Sequence, residues 1–206
     1  IYGTLFISGS GDISIAEKQS RNESSLSRLT EVFSIQQSAP ALQELFFSEI
    51  EATHARLRAD GIDYPEVDIV KIWQSVLGWN DVESVRQFAI EYEMRVNPVY
   101  PMPHMEEILA WCLREKLLLG IISNAQFFTP LLFSIFLDAD PAAIGFDPDL
   151  IFYSYQFGIA KPSPHLFNKA KMILSQKNIP TESVLYIGND MLNDMMPATH
   201  MGWQTV

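Results

Sequence analysis

Four short segments carry the residue types that could do chemistry. The most informative is Tyr186-Ile187-Gly188-Asn189-Asp190-Met191-Leu192-Asn193-Asp194. An apolar strand runs into a glycine and then into two acids four residues apart. That spacing is about one helical turn, so both carboxylates can face the strand tip. Hard oxygen ligands beside an anion site suit Mg²⁺, and Asp190 is the expected direct ligand, with Asp194 the second partner. Acids at a helix N-terminus that only favour its dipole are the plainer alternative. Lys161, in Gly158-Ile159-Ala160-Lys161-Pro162, supplies one ammonium. Such a charge keeps nearby carboxylates from repelling one another and offsets developing negative charge. Ser123-Asn124 follow the apolar run Leu119-Gly120-Ile121-Ile122. A hydroxyl and backbone N–H groups there can hold a phosphoryl or carboxylate oxygen, or else cap the next helix. The fourth segment is Tyr2-Gly3-Thr4-Leu5.

These segments need elements to position them. Ile1 to Ile7 reads as the end of a strand entering a turn. Ser8-Gly9-Ser10-Gly11-Asp12 is a loop by composition, and no GK[ST] follows to make it a phosphate cradle. From about Ser14 to Val96 the apolar spacing is helical. Leu42, Leu45, Phe46, Ile50 and Leu57 form one stripe, and Ile69, Ile72, Trp73, Val76 and Leu77 another. Asp60-Gly61 and Gly78 are expected stops, and Pro65 is expected in the first turn of the second of these helices.

The pattern changes at Asn97-Pro98-Val99-Tyr100-Pro101-Met102-Pro103, a stiff stretch that cannot continue a helix. After it, strands and helices alternate. Helices are expected over 105–116, 127–137, 164–175 and 191–200. Strands are expected over 117–123, 150–154 and 183–187, with a last one from Trp203. Uninterrupted apolar strands alternating with helices imply a parallel sheet covered on both sides. Right-handed crossovers put the strand C-terminal ends on one edge, where ligands of such sheets bind. All four chemical segments fall there.

The ordered set resembles the haloacid dehalogenase superfamily. That family carries Asp-x-Asp-Gly-Thr-Leu at its first strand, Ser or Thr at its second, Lys-Pro before a later helix, and paired acids at its fourth. The resemblance implies a three-layer α/β fold, a parallel-sheet Rossmann-like core over residues 1–13 and 97–206 with an α-helical cap inserted over 14–96. It implies a Mg²⁺-dependent phosphatase acting on a small phosphorylated molecule through an aspartyl-phosphate. Tyr2, Thr4, Ser123, Asn124, Lys161 and Asp194 are then the catalytic set, and the Tyr2 carbonyl and Asp190 the metal ligands, with Asn189, which stands where the family often has Asp, the alternative to Asp190. The nucleophilic Asp falls immediately before Ile1. The chain opens without Met and ends at Gly202-Trp203-Gln204-Thr205-Val206, so an internal part of a longer protein is expected. Tyr2 stands where the family has its second Asp, the usual acid–base group. A phenol with a pKa of about 10 is a poor proton shuttle at neutral pH. One branch of the family, the 2-haloacid dehalogenases, also has Tyr there and Ser-Asn at the second strand. Such an enzyme needs no metal, but it needs an arginine for the substrate carboxylate, and Arg21 and Arg28 are the candidates. A non-catalytic binding protein on the same fold is the third reading.

Bulk properties agree with these readings. The chain has 206 residues, 48% of them hydrophobic, enough for a sizeable core plus an accessory domain. A net charge of -11 argues against nucleic acid and anionic membranes as partners. The single cysteine, Cys112, can form neither an internal disulfide nor a cysteine zinc site, which points to the cytoplasm. His54, His104, His165 and His200 lack zinc-ligand spacing.

Overall fold

The computed structural model of the protein describes residues 1–9 and 23–206. Ser10, Gly11, Asp12, Ser14 and Arg21 lie outside them, so the loop's end, the expected cap start and one candidate arginine do too. The chain divides into two compact units, Ile1–Phe6 with Pro101–Val206, and Ile7–Tyr100. The junctions read from sequence stood at 13/14 and 96/97.

The Ile7–Tyr100 unit is built from helices α1 (Glu23–Val32), α2 (Ala39–Ala59), α3 (Ile69–Leu77) and α4 (Val82–Val96). Side-chain caps define three of their starts. Ser38 accepts from the Ala41 N–H, Asp68 from Val70 and Asp81 from Ser84, each satisfying a donor that the helix cannot. Pro65 therefore lies before α3 and not in its first turn. The Asp68 carboxylate fixes the start three residues later, and Val67 between them is buried. Gly78 ends α3 in the left-handed conformation, as a C-terminal glycine can. Leu45 is exposed, but the rest of the two apolar stripes supplies an aromatic core through Phe46 and Trp73. Phe46 stacks on Trp73 at 4.2 Å, and Phe88 and Tyr92 each meet Trp73 edge-on at 4.8 Å.

In the other unit, α5 (Met105–Arg114) precedes strand β3 (Leu119–Ser123), and short helices α6 (Leu131–Leu137) and α7 (Pro141–Ile144) lead to β4 (Phe146–Tyr153). β4 starts four residues earlier than its apolar pattern suggested and runs parallel to β3, pairing Ile122 with Phe152 and Ser123 with Tyr153. After α8 (Ser154–Phe157) and α9 (Pro164–Gln176), strand β5 (Leu185–Tyr186) pairs in parallel with β6 (Gln204–Thr205). Strands β1 (Phe6–Ser8) and β2 (Val99–Pro101) pair where the chain passes between the units. Leu150, Phe152, Leu166, Phe167, Ala170, Ala198 and Trp203 form one buried cluster, with Ile122 and Tyr186 packed on it.

The helix expected over 191–200 is broken. Residues Met191–Met195 form a wide π-turn in which the Met195 N–H reaches back to the Asp190 carbonyl at 3.1 Å, and α10 (Met196–His200) follows. Pro197 stands in the first turn of α10, where its missing N–H costs nothing. Among the described residues, no helix is long and apolar enough to cross a membrane.

Candidate active site

Three of the four chemical segments converge around Asp194, which is 4% exposed. Its Oδ1 pairs with Lys161 Nζ, and both side chains are buried. The same oxygen accepts from the Tyr186 hydroxyl at 3.0 Å. Its Oδ2 accepts the backbone N–H groups of Asn189 and Asp190, both at 3.2 Å. Burial works to raise the Asp194 pKa. The Lys161 charge and hydrogen bond, then the bonds from Tyr186 and Asp190, outweigh it and hold the carboxyl below its usual range. An unpaired buried carboxylate would be costly, and here each oxygen has donors. Gly188 makes this possible, because a Cβ there would lie 2.6 Å from Asp194 Cγ.

Asn124 locks Lys161 from behind. Its Oδ1 accepts the Lys161 N–H at 2.7 Å, and its Nδ2 donates to the Lys161 carbonyl at 3.2 Å. The side chain thus grips the backbone on both sides of the Lys161 Cα, instead of capping the next helix. Ser123, at the tip of β3, is 2% exposed and donates to the Asn124 carbonyl at 3.2 Å. Tyr153, its register partner on β4, buries a hydroxyl with no hydrogen-bond partner among the described residues.

The first segment folds into a tight turn. The Ile1 carbonyl accepts N–H groups of Thr4, Leu5 and Phe6 at 3.1, 2.8 and 3.1 Å. Gly3 adopts φ +74, and a Cβ on it would fall 2.3 Å from Asn189 Cγ, so this turn and the Gly188–Asp190 loop are in direct contact. Tyr2 points its phenol to Thr129 Oγ1 at 3.1 Å, and Thr129 is fully buried and also takes the Gln126 N–H at 3.2 Å.

Asp190 behaves differently from Asp194. Its Oδ1 accepts the N–H groups of Leu192 and Asn193 at 2.8 and 2.7 Å, and its Oδ2 accepts Asn193 Nδ2 at 3.1 Å. The two acids do not share one orientation. One is drawn inward to Lys161, while the other caps the π-turn. Among the described residues, no three His, Cys, Asp or Glu side chains cluster as metal ligands. The oxygens at hand are the Asp190 carboxylate, the Asn189 amide beside Gly3 and the Tyr2 carbonyl, a hard donor set that fits Mg²⁺ by type.

Tyr186 and Thr129 are the residues to which the motifs gave no role. A hydroxyl on an apolar strand two residues before the glycine was the available signal for Tyr186.

No protein-family model matches the sequence, and no curated protein matches it. Solved structures do. A HAD phosphatase from Thermococcus onnurineus aligns with 100% of this chain and 81% of its own, at 16% identity and a TM-score of 0.57. A 2-haloacid dehalogenase from Pseudomonas syringae aligns with 100% and 82%, at 17% identity and 0.55. The HAD-hydrolase YfnB from Bacillus subtilis, bound to magnesium, aligns with 100% and 84%, at 18% identity and 0.53. At these identities the likeness is one of fold, a Rossmann-like parallel α/β core with a helical cap.

Proposed function

We propose that this chain, which has the haloacid dehalogenase-like fold, is a hydrolase that works through an ester on an aspartate directly preceding Ile1. One observation carries the reading. The buried Lys161–Asp194 pair holds the Gly188–Asp190 loop, whose Asn189 lies against Gly3 in the turn that follows Ile1, which in this reading brings an ammonium toward a residue preceding Ile1. Lys161 offsets negative charge that grows on the reacting group. Asp194, held ionised, fixes where that ammonium sits. Asn124 fixes the backbone from which Lys161 extends. In this reading Ser123 and Thr4 would contact the reacting group.

The finer proposal is a phosphomonoesterase of small phosphorylated molecules. Asp190, the Asn189 amide and the Tyr2 carbonyl would hold Mg²⁺, which when bound neutralises phosphoryl charge. In this reading residues 14–96 are the cap that selects the substrate. Tyr2 does not serve as the proton donor, because its phenol is engaged with buried Thr129. Esters with good leaving groups should therefore be turned over best.

That same engagement favours a second reading, a 2-haloacid dehalogenase, since a halide leaves without a proton. Two assays separate them: phosphate release from an aryl phosphate with and without Mg²⁺, and halide release from 2-chloropropionate. Mg²⁺-stimulated phosphate release supports the phosphatase. Metal-independent halide release without phosphate release transfers the case to the dehalogenase. Neither product from a folded protein carrying the preceding aspartate overturns both.

A further inference from the structure

Tyr186 stands at the end of β5, and its hydroxyl occupies the middle of the buried charge pair. It lies 3.0 Å from Asp194 Oδ1, 3.2 Å from the Ile122 carbonyl and 3.5 Å from Lys161 Nζ. A phenol has one proton to give. The charged Asp194 oxygen is the stronger acceptor, so the proton goes there. The phenolic oxygen is then free to receive a Lys161 N–H. Burial, then the Asp194 charge and hydrogen bond, push the Tyr186 pKa well above the ordinary tyrosine range, so the hydroxyl keeps its proton. Its ring cannot swing away. It is stacked on Trp203 at 6.2 Å and lies against Phe167 at 5.3 Å.

An ammonium carries three N–H bonds on a freely rotating carbon–nitrogen bond. Here one is directed at Asp194 and one at Tyr186, which leaves the third with a fixed direction. A single partner would hold the nitrogen in place but let the other two N–H bonds spin. We propose that Tyr186 is a positioning residue that stops this rotation and aims the remaining N–H of Lys161 at the reacting group. The proposal rests on the hydrolase reading, in which Lys161 offsets developing charge. Tyr186 itself touches neither substrate nor reacting atoms.

Tyr186→Phe removes the hydroxyl and keeps the ring packing, and two readouts on the full-length protein test it. In steady-state kinetics kcat should fall by about tenfold, the scale of one hydrogen bond to a charged group. KM should stay within about twofold, because no substrate contact is lost. An unchanged kcat overturns the proposal, and so does a rise in KM that accounts for the whole loss, which would make Tyr186 a substrate contact. A purely structural role would lower the melting temperature and leave both constants intact. The second readout is the side-chain ammonium spectrum of ¹⁵N-lysine-labelled protein. Lys161 should give a slowly exchanging ammonium resonance in the parent that broadens or disappears in Tyr186→Phe. The same resonance in both proteins overturns the proposal. This measurement needs no substrate. Failure of the hydrolase reading would therefore show as absent turnover in both proteins, while the ammonium signal still reports whether Tyr186 holds Lys161.

Discussion

Rings carry the core of one unit, while in the other a buried ion pair is joined to the apolar cluster. In the Ile7–Tyr100 unit, Phe46, Trp73, Phe88 and Tyr92 pack face and edge around one indole. Such a core is held by area and shape, and many hydrophobic sequences could serve it. In the other unit, Lys161 and Asp194 are both removed from water and then satisfied by Tyr186 and two backbone amides. A well-packed hydrophobic trio would stabilise the fold at least as well as a buried ion pair. A chain that keeps the charged version in spite of this gains something other than stability, and chemistry at the neighbouring strand tips is the natural account.

The largest effect should come from splitting the pair. Lys161→Met leaves a carboxylate buried without its cation. Turnover should drop by at least about 100-fold, and urea unfolding should show a loss of about 3–5 kcal/mol. The double variant Lys161→Met/Asp194→Leu should recover much of the stability and none of the turnover. Recovery of both would mean that the pair is structural.

The matching cut in the other unit is Trp73→Ala. It should cost about 3–5 kcal/mol by the same unfolding measurement. Provided the protein is assayed well below its lowered melting temperature, the chemical step should be intact. Equal damage to turnover would erase the distinction drawn between the two units.

The aromatic unit has one ionisable group that sharpens the contrast. Burial raises the Glu93 pKa to about 7 from an ordinary 4.5, against the opposing hydrogen bond from Asn97. The folded state therefore holds a proton that the unfolded state releases between those two values. Stability should be greatest at the acid side of this window and should decline as pH rises from 4.5 to about 7. Glu93→Gln, neutral throughout, should flatten that decline in a series of melting curves. An unchanged slope would mean that Glu93 titrates normally. Asp194 is the opposite case. Its lowered pKa gives stability that is present above the unfolded value and fades as pH falls through the folded one.

The smallest effect is a gain. Tyr153 buries a hydroxyl without a partner among the described residues. Tyr153→Phe should therefore be neutral or stabilising by about 1 kcal/mol. A clear loss in calorimetry would show that the hydroxyl is satisfied in solution.

Much of this was legible in the sequence because it is local. The apolar stripes of α2 and α3, the stop at Gly78 and the acids after Gly188 are all encoded within a few neighbouring residues. Lys161 could be named only from the ordered set of motifs in which its Lys-Pro dipeptide stands. What the sequence hid depends on distant contacts. Asn124 grips the backbone 37 residues away, and Tyr2 meets Thr129 across 127 residues. No periodicity reports such pairings. Asp190 and Asp194 were expected to face one strand tip from one helical turn apart, and the π-turn between them gave one to the cap and the other to Lys161. The start of α3 was misplaced for a smaller reason, since Pro65 and Asp68 both make good helix beginnings and the side-chain cap prevailed.

The most direct test is to trap the ester. The protein carrying the residue before Ile1 is mixed with substrate, quenched in acid during turnover and mapped by peptide mass spectrometry. The account predicts a substrate-derived adduct on an aspartate in the peptide that runs into Ile1–Phe6, lost when that aspartate is changed to Asn. Turnover without an adduct on that peptide, or with an adduct on another residue, would contradict it.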